Sequence, residues 1–146
     1  LRALLQRVSE ASVTVDDQVI ASIGPGLLVL LGVYPNDSDE QINWLVEKTL
    51  GLRIFPDENK PMNQSVMDVN GAVLVVSQFT LAADTSRGRR PGFSSAAMPE
   101  VAERCYRQFV DALKQRWPHV QTGAFGADMQ VALVNDGPVT FLLERE

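Results

Sequence analysis

Gly26-Leu27-Leu28-Val29-Leu30-Leu31-Gly32-Val33 is the stretch on which the fold turns. A strand with one solvated face alternates apolar and polar side chains. The unbroken run over residues 27–31 therefore marks a strand buried on both faces, the middle of a layered sheet. Working upstream, Gly24-Pro25-Gly26 supplies a turn, and Val19-Ile20-Ala21-Ser22-Ile23 reads as the strand before it. Asp16-Asp17 turns the chain again after the alternating Ser12-Val13-Thr14-Val15, and Ala3-Leu4-Leu5 with Val8 gives a separate first strand segment. Downstream, Ala72-Val73-Leu74-Val75-Val76 is a second unbroken apolar run. Strands are expected over about residues 129–134 and 139–143, separated by Asn135-Asp136-Gly137-Pro138, since Asp-Gly between two apolar runs reads as a hairpin turn.

Two helices cover this sheet. Ser38-Asp39-Glu40-Gln41 fits a capping box, and Ile42, Leu45, Val46, Thr49 and Leu50 then recur on one helical face until Gly51 weakens the end. The second helix runs over Pro99–Arg116, with proline in the first turn, Glu100 and Glu103 near the positive end of the dipole, and Pro118 as the stop. Val101, Ala102, Cys105, Phe109, Ala112 and Leu113 share its inward face, so Cys105 is expected as a small buried hydrophobe rather than a catalytic thiol. The pattern predicts an α/β domain, residues 1–146, in which helices cover a mixed sheet.

At 45% hydrophobic residues, the 146-residue chain can bury a substantial core. One cysteine cannot make an intramolecular disulfide, and one histidine, His119, cannot help to assemble a Cys/His zinc cluster. No window reaches the roughly 20 apolar residues of a membrane span, and the N-terminal apolar stretch is too short for a signal peptide. A soluble, cytoplasmic protein that needs no metal or other cofactor is expected. The net charge of -5 counts against broad coating of nucleic acid. Ser86-Arg87-Gly88-Arg89-Arg90-Pro91-Gly92 nevertheless concentrates three arginines in one flexible stretch, which reads either as a solvated loop or as a local contact for RNA phosphates.

The chemistry is expected where the strand over residues 72–76 changes to Ser77-Gln78-Phe79-Thr80, because a strand end exposes polar side chains and turning N–H groups on a rigid support. Residue pattern alone also fits an ordinary strand terminus. Ser77 and Thr80 are hydroxyl nucleophiles in principle, yet no adjacent base is evident: His119 follows Trp117-Pro118 in what reads as a surface loop, and no Gly-x-Ser-x-Gly elbow is present. The inventory disfavours covalent catalysis.

Ser77-Gln78-Phe79-Thr80-Leu81 and Asn135-Asp136-Gly137-Pro138-Val139-Thr140 together resemble the signature pair of the D-aminoacyl-tRNA deacylases. The resemblance extends through Leu5-Gln6-Arg7-Val8, Arg53-Ile54-Phe55 and Thr122-Gly123-Ala124-Phe125-Gly126-Ala127-Asp128-Met129. It implies a second sheet layer with barrel-like sheets, a homodimer, and hydrolysis of the ester of D-aminoacyl-tRNA such as D-tyrosyl-tRNA, with activity on glycyl-tRNA(Ala) also expected. The catalytic segment would be Ser77, Gln78, Phe79 and Thr80, with backbone donors from residues 78–80 polarising the carbonyl and the RNA's own hydroxyl or a water attacking. Gly137 and Pro138 would form a cis peptide that enters the partner subunit's active site. Arg7 would hold that element, Met129 would lie near the substrate, and Arg87, Arg89 and Arg90 would meet the tRNA backbone. Composition alone favours a solvated Arg7 and a core Met129. An editing enzyme of other chirality, a non-catalytic nucleic-acid-binding protein and a metabolite-binding oligomer are the competing readings.

Overall fold

The apolar run is a central strand. In the computed structural model, which describes residues 1–146, the elements follow in the order β1 (Arg2–Val15), β2 (Gln18–Ile23), β3 (Gly26–Gly32), α1 (Asp39–Gly51), β4 (Ala72–Ser77), a 3-10 turn (Phe79–Ala82), α2 (Pro99–Arg116), β5 (Val120–Thr122) and β6 (Gln130–Glu144). The strands lie in the order β2-β1-β3-β4-β5, with β6 also paired to β1. β3 is antiparallel to β1 and parallel to β4. Its side chains feed two cores. Leu27, Val29 and Leu31 join Val73 and Val75 of β4 beneath both helices, whereas Leu28 joins Leu74 and Val76 against Val8, Val13, Ala21 and Ile23. Leu74 is fully buried in the second core, where truncation to alanine costs about 2–5 kcal/mol.

The second core is enclosed by the curvature of the sheet. The Gln121 side chain of β5 helps complete the enclosure: its carbonyl oxygen accepts from the Ser22 N–H (2.9 Å), and its amide donates to the Ser22 carbonyl (2.8 Å). One side chain thus stands in for a backbone pair between β5 and β2. The mixed α/β architecture with a nearly closed, barrel-like sheet and two main helices agrees with the sequence expectation.

Helix boundaries also follow their local signals. Gln41 Oε1 accepts from the Ser38 N–H at 2.8 Å ahead of α1, and α2 occupies the expected residues, closing with the Trp117 N–H on the Leu113 carbonyl (2.8 Å). Cys105 is buried on α2, and desolvation pushes its thiol pKa up, so it packs as a small apolar group. His119 is exposed, edge-on to Trp117 with ring centroids 5.2 Å apart. No helix is long and apolar enough to cross a membrane.

Two strand expectations are corrected. The segments around residues 3–8 and 12–15 are one strand, because the first half of β1 pairs with β3 and the second half with β2 while β6 runs along its other edge. Likewise, Asn135-Asp136-Gly137-Pro138 is not a hairpin turn. Both flanks pair antiparallel with β1, Asn135 opposite Val8 and Thr140 opposite Gln6, so the chain bulges outward and resumes its direction within β6.

Candidate active site

Gly32 and Arg2 seat the 3-10 turn over Phe79–Ala82. A Cβ on Gly32 would lie 2.9 Å from Leu81 Cβ and 3.3 Å from the Gln78 carbonyl oxygen, so only glycine lets the 3-10 turn settle onto β3. Arg2 donates from Nη1 to the Leu81 carbonyl (2.8 Å) while its Nη2 meets Glu144 at 3.1 Å. Hydrogen bonding then determines which amides of the turn face outward. The Gln78 N–H extends the β3–β4 ladder by donating to Leu31 (2.7 Å), the Leu81 N–H returns to Gln78 (3.1 Å), and the Ala83 N–H returns to Thr80 (3.2 Å). The Phe79 and Thr80 N–H groups have no partner in the protein. Of the amides over residues 78–80 from which donors are expected, the Gln78 N–H is thus already engaged within the protein. Gln78 contributes its side chain instead, donating from Nε2 to Thr80 Oγ1 and leaving the Thr80 proton free to point elsewhere.

Beside the turn lies a mostly apolar cavity of about 330 Å³, walled by Leu31, Val33, Ser77, Phe79, Phe125 and Met129, with the start of α2 completing it. Three residues anticipated from sequence, Ser77, Phe79 and Met129, thus come together, and Thr80 follows on the exposed side of the turn. Val33, Ala97 and Ala102 carry no sequence signal for a site. They are ordinary apolar residues on three separate segments, gathered only by the fold.

The Gly137-Pro138 element lies apart from that cavity. Residues 136–139 bulge out where β1 supplies only Arg7, and Asn135 closes the neck: its Oδ1 accepts from the Val139 N–H (2.7 Å) and its Nδ2 donates to Thr140 Oγ1 (3.0 Å). Arg7 braces the bulge from below, donating from Nε to the Asp136 carbonyl and from Nη1 to the Ile54 carbonyl, each at 2.8 Å. At 9% exposure Arg7 is buried, which overturns the solvated reading that composition favours. Gly137 adopts φ +151°, and a Cβ there would lie 2.6 Å from Val139 Cγ2. The Gly137-Pro138 peptide is cis, and both residues are exposed.

Arg87, Arg89 and Arg90 occupy an exposed lobe. Asp84 and Gly92 close its base by exchanging two backbone hydrogen bonds of 2.8 Å. Ser86, through its hydroxyl and its N–H, holds the Asp84 carboxyl below the usual carboxylate range. Ser95 Oγ donates to the Ala82 carbonyl (2.7 Å), tying the lobe's far end to the 3-10 turn.

The family sequence model described as D-Tyr-tRNA(Tyr) deacylase matches residues 4–144. The chain belongs to this deacylase family. A protein of Prosthecochloris aestuarii named D-aminoacyl-tRNA deacylase is 58% identical over 145 residues, covering 99% of each chain. One of the same name from Klebsiella pneumoniae is 60% identical over 142 residues, covering 97% of this chain and 98% of the other. A solved structure named c-Myc DNA Unwinding Element Binding Protein superposes with TM-score 0.95 at 42% identity, covering 100% of this chain and 99% of the other. Another, described as a probable eukaryotic D-amino acid tRNA deacylase, gives TM-score 0.86 at 19% identity over 97% of each chain and speaks for the fold alone. As a member of the deacylase family, the chain is a hydrolase of D-aminoacyl-tRNA, a proofreading activity.

Proposed function

We propose that this deacylase is a single-domain cytoplasmic enzyme that cleaves D-tyrosyl-tRNA and glycyl-tRNA(Ala), working as a homodimer in which Gly137-Pro138 of each protomer enters the other's active site. The observation that carries the reading is the pair of unpartnered amides, Phe79 and Thr80, beside the cavity walled by Ser77, Phe79 and Met129. Fixed N–H donors of this kind stabilise the oxyanion that forms when a carbonyl is attacked. An aminoacyl ester on ribose is already activated and has a neighbouring hydroxyl, so positioning can supply much of what a protein base would otherwise provide. Water adds to the carbonyl carbon, the bond to the ribose oxygen breaks, and that oxygen takes a proton. Free tRNA and the amino acid leave.

Chirality would be read by backbone. A side-chain pocket distinguishes one methylene by only about 1–3 kcal/mol and would exclude other D-amino acids. Carbonyl groups of the Gly137-Pro138 element, pressed against the α-carbon, would collide with an L side chain and leave a D side chain pointing outward. Glycine has nothing to exclude. In support of the dimer, β6 pairs only with β1, leaves its other edge open, and exposes Val131, Val134 and Leu142. A DNA-binding role like that named for one similar structure fits less well, since the chain is acidic overall and its clustered exposed arginines sit beside the ester-cleaving turn. The test is to offer the purified enzyme both D-tyrosyl-tRNA and glycyl-tRNA(Ala). Cleavage of both is expected, and inertness toward the glycyl ester under conditions that consume the D-tyrosyl ester contradicts backbone selection.

A further inference from the structure

Phe79 and Phe93 form a tilted aromatic pair, with ring centroids 5.1 Å apart and planes at 50°. Both are unusually open for phenylalanine, at 58% and 41% exposure. Phe79 belongs to the cavity wall, but Phe93 does not. Phe93 follows directly on Gly92 at the pinched base of the arginine lobe, and its backbone is fixed from both sides. Gly92 pairs with Asp84, the Phe93 carbonyl accepts from the Ala96 N–H (3.1 Å), and Ser95 ties the segment to Ala82. A rigid, exposed aromatic face thus stands between the cavity and three arginines. That combination of a π platform and a basic track is how proteins hold single-stranded nucleic acid without reading its sequence.

We propose that Phe93 is a stacking platform for the unpaired nucleotide preceding the terminal adenosine of aminoacyl-tRNA, handing the strand's phosphates to the lobe of Arg87, Arg89 and Arg90. The proposal rests on the tRNA-ester reading above and adds a subsite to it. The occupant follows from the surroundings: the reacting ester belongs at the Phe79 and Thr80 amides, so the strand bearing it must leave the cavity, and the lobe offers the compensating charge. Inside a duplex each base face is covered by its stacked neighbours, whereas the unpaired nucleotides of the acceptor end are free to stack on Phe93.

The simpler role, in which Phe93 only supports the Phe79 ring, is separated by substrate length. Phe93→Ala and Phe93→Tyr are compared with the wild-type enzyme on D-tyrosyl-tRNA and on D-tyrosyl adenosine ester, which lacks the preceding nucleotide. Phe93→Ala is expected to raise KM for the tRNA about 5- to 10-fold, near the lower end for removal of base–aromatic stacking. The effect should shrink to within about twofold on the adenosine ester, and Phe93→Tyr should restore tRNA KM. Equal losses on both substrates would overturn the proposal in favour of support for Phe79. So would an unchanged tRNA KM. A wild-type enzyme that cleaves neither substrate would overturn the deacylase reading itself. Phe93→Trp adds a readout independent of turnover: unacylated CCA trinucleotide should change its emission relative to wild type, adenosine should not, and no change with CCA would count against stacking.

Discussion

Replacing Arg7 tests the link between the buried strand and the exposed bulge. Arg7→Met keeps the length of the side-chain stem and removes two hydrogen bonds of 2.8 Å, one to Asp136 and one to Ile54. With a charged donor, each is worth roughly 1.5 kcal/mol. The Asp136 carboxylate stands 3.8 Å away on a side chain 61% exposed, so that ion pair adds little. Methionine recovers roughly 1 kcal/mol by filling the stem's space without a charge to desolvate, leaving a net loss of about 2 kcal/mol. For a chain of this size, Tm should fall by about 4–8 °C. If the bulge carries its carbonyls into the site, loss of the Asp136 bond should also reduce kcat/KM on D-tyrosyl-tRNA about tenfold well below the melting temperature. Arg7→Lys can serve only one of the two divergent carbonyls and should recover roughly half of the stability. Thermal denaturation and initial rates on the same samples decide the matter. A variant that melts early yet keeps kcat/KM within about twofold of wild type would refute the assignment of the bulge to the site.

Thr80→Val should lower kcat less than about tenfold if, as proposed, the outward-facing amide rather than the hydroxyl carries the oxyanion role; a loss near a thousandfold in single-turnover assays would instead implicate the hydroxyl. Changing Arg87, Arg89 and Arg90 together to glutamine should raise KM for tRNA and flatten its dependence on salt, by about 0.7 in log–log slope for each phosphate no longer neutralised, and an unchanged slope would place the lobe off the RNA. Asp84 has a folded pKa below its ordinary value. Its contribution to the lobe is therefore present above the ordinary carboxylate range and lost as pH falls through the depressed value. Backbone amide signals of Ser86 and Gly92 should hold steady from neutral pH down through the ordinary carboxylate range and shift only below it, and a transition centred within or above that range would contradict the hydrogen-bonded carboxylate.

Much of the fold could be read because its strongest signals are local. Residues 27–31 and 72–76 lack alternation for the reason the structure shows, two cores on opposite sides of one sheet. The bounds of α2 were legible in Pro99, the acidic first turn and Pro118. Continuity of β1 and β6 was not legible, because it depends on which distant strands pair with each half, and Asn-Asp-Gly-Pro satisfies turn chemistry equally well in a bulge. The same limit applies to the site. Ser77, Phe79 and Thr80 could be found as a polar break after an apolar strand, but the cavity beside them is built from Leu31, Val33, Phe125 and the start of α2, which share no motif. Which amides of the turn are free depends on the Leu31 carbonyl, more than forty residues away in sequence. Arg7 reads as a surface residue until the bulge and the Ile54 carbonyl are seen to close over it.

The most direct measurement is hydrolysis of matched D-tyrosyl- and L-tyrosyl-tRNA at low enzyme concentration, with a chelator present. Rapid release of D-tyrosine is expected, with no cleavage of the L ester above the uncatalysed rate. Comparable cleavage of both hands would contradict selection by Gly137-Pro138, and cleavage of neither would contradict the catalytic assignment of Phe79 and Thr80.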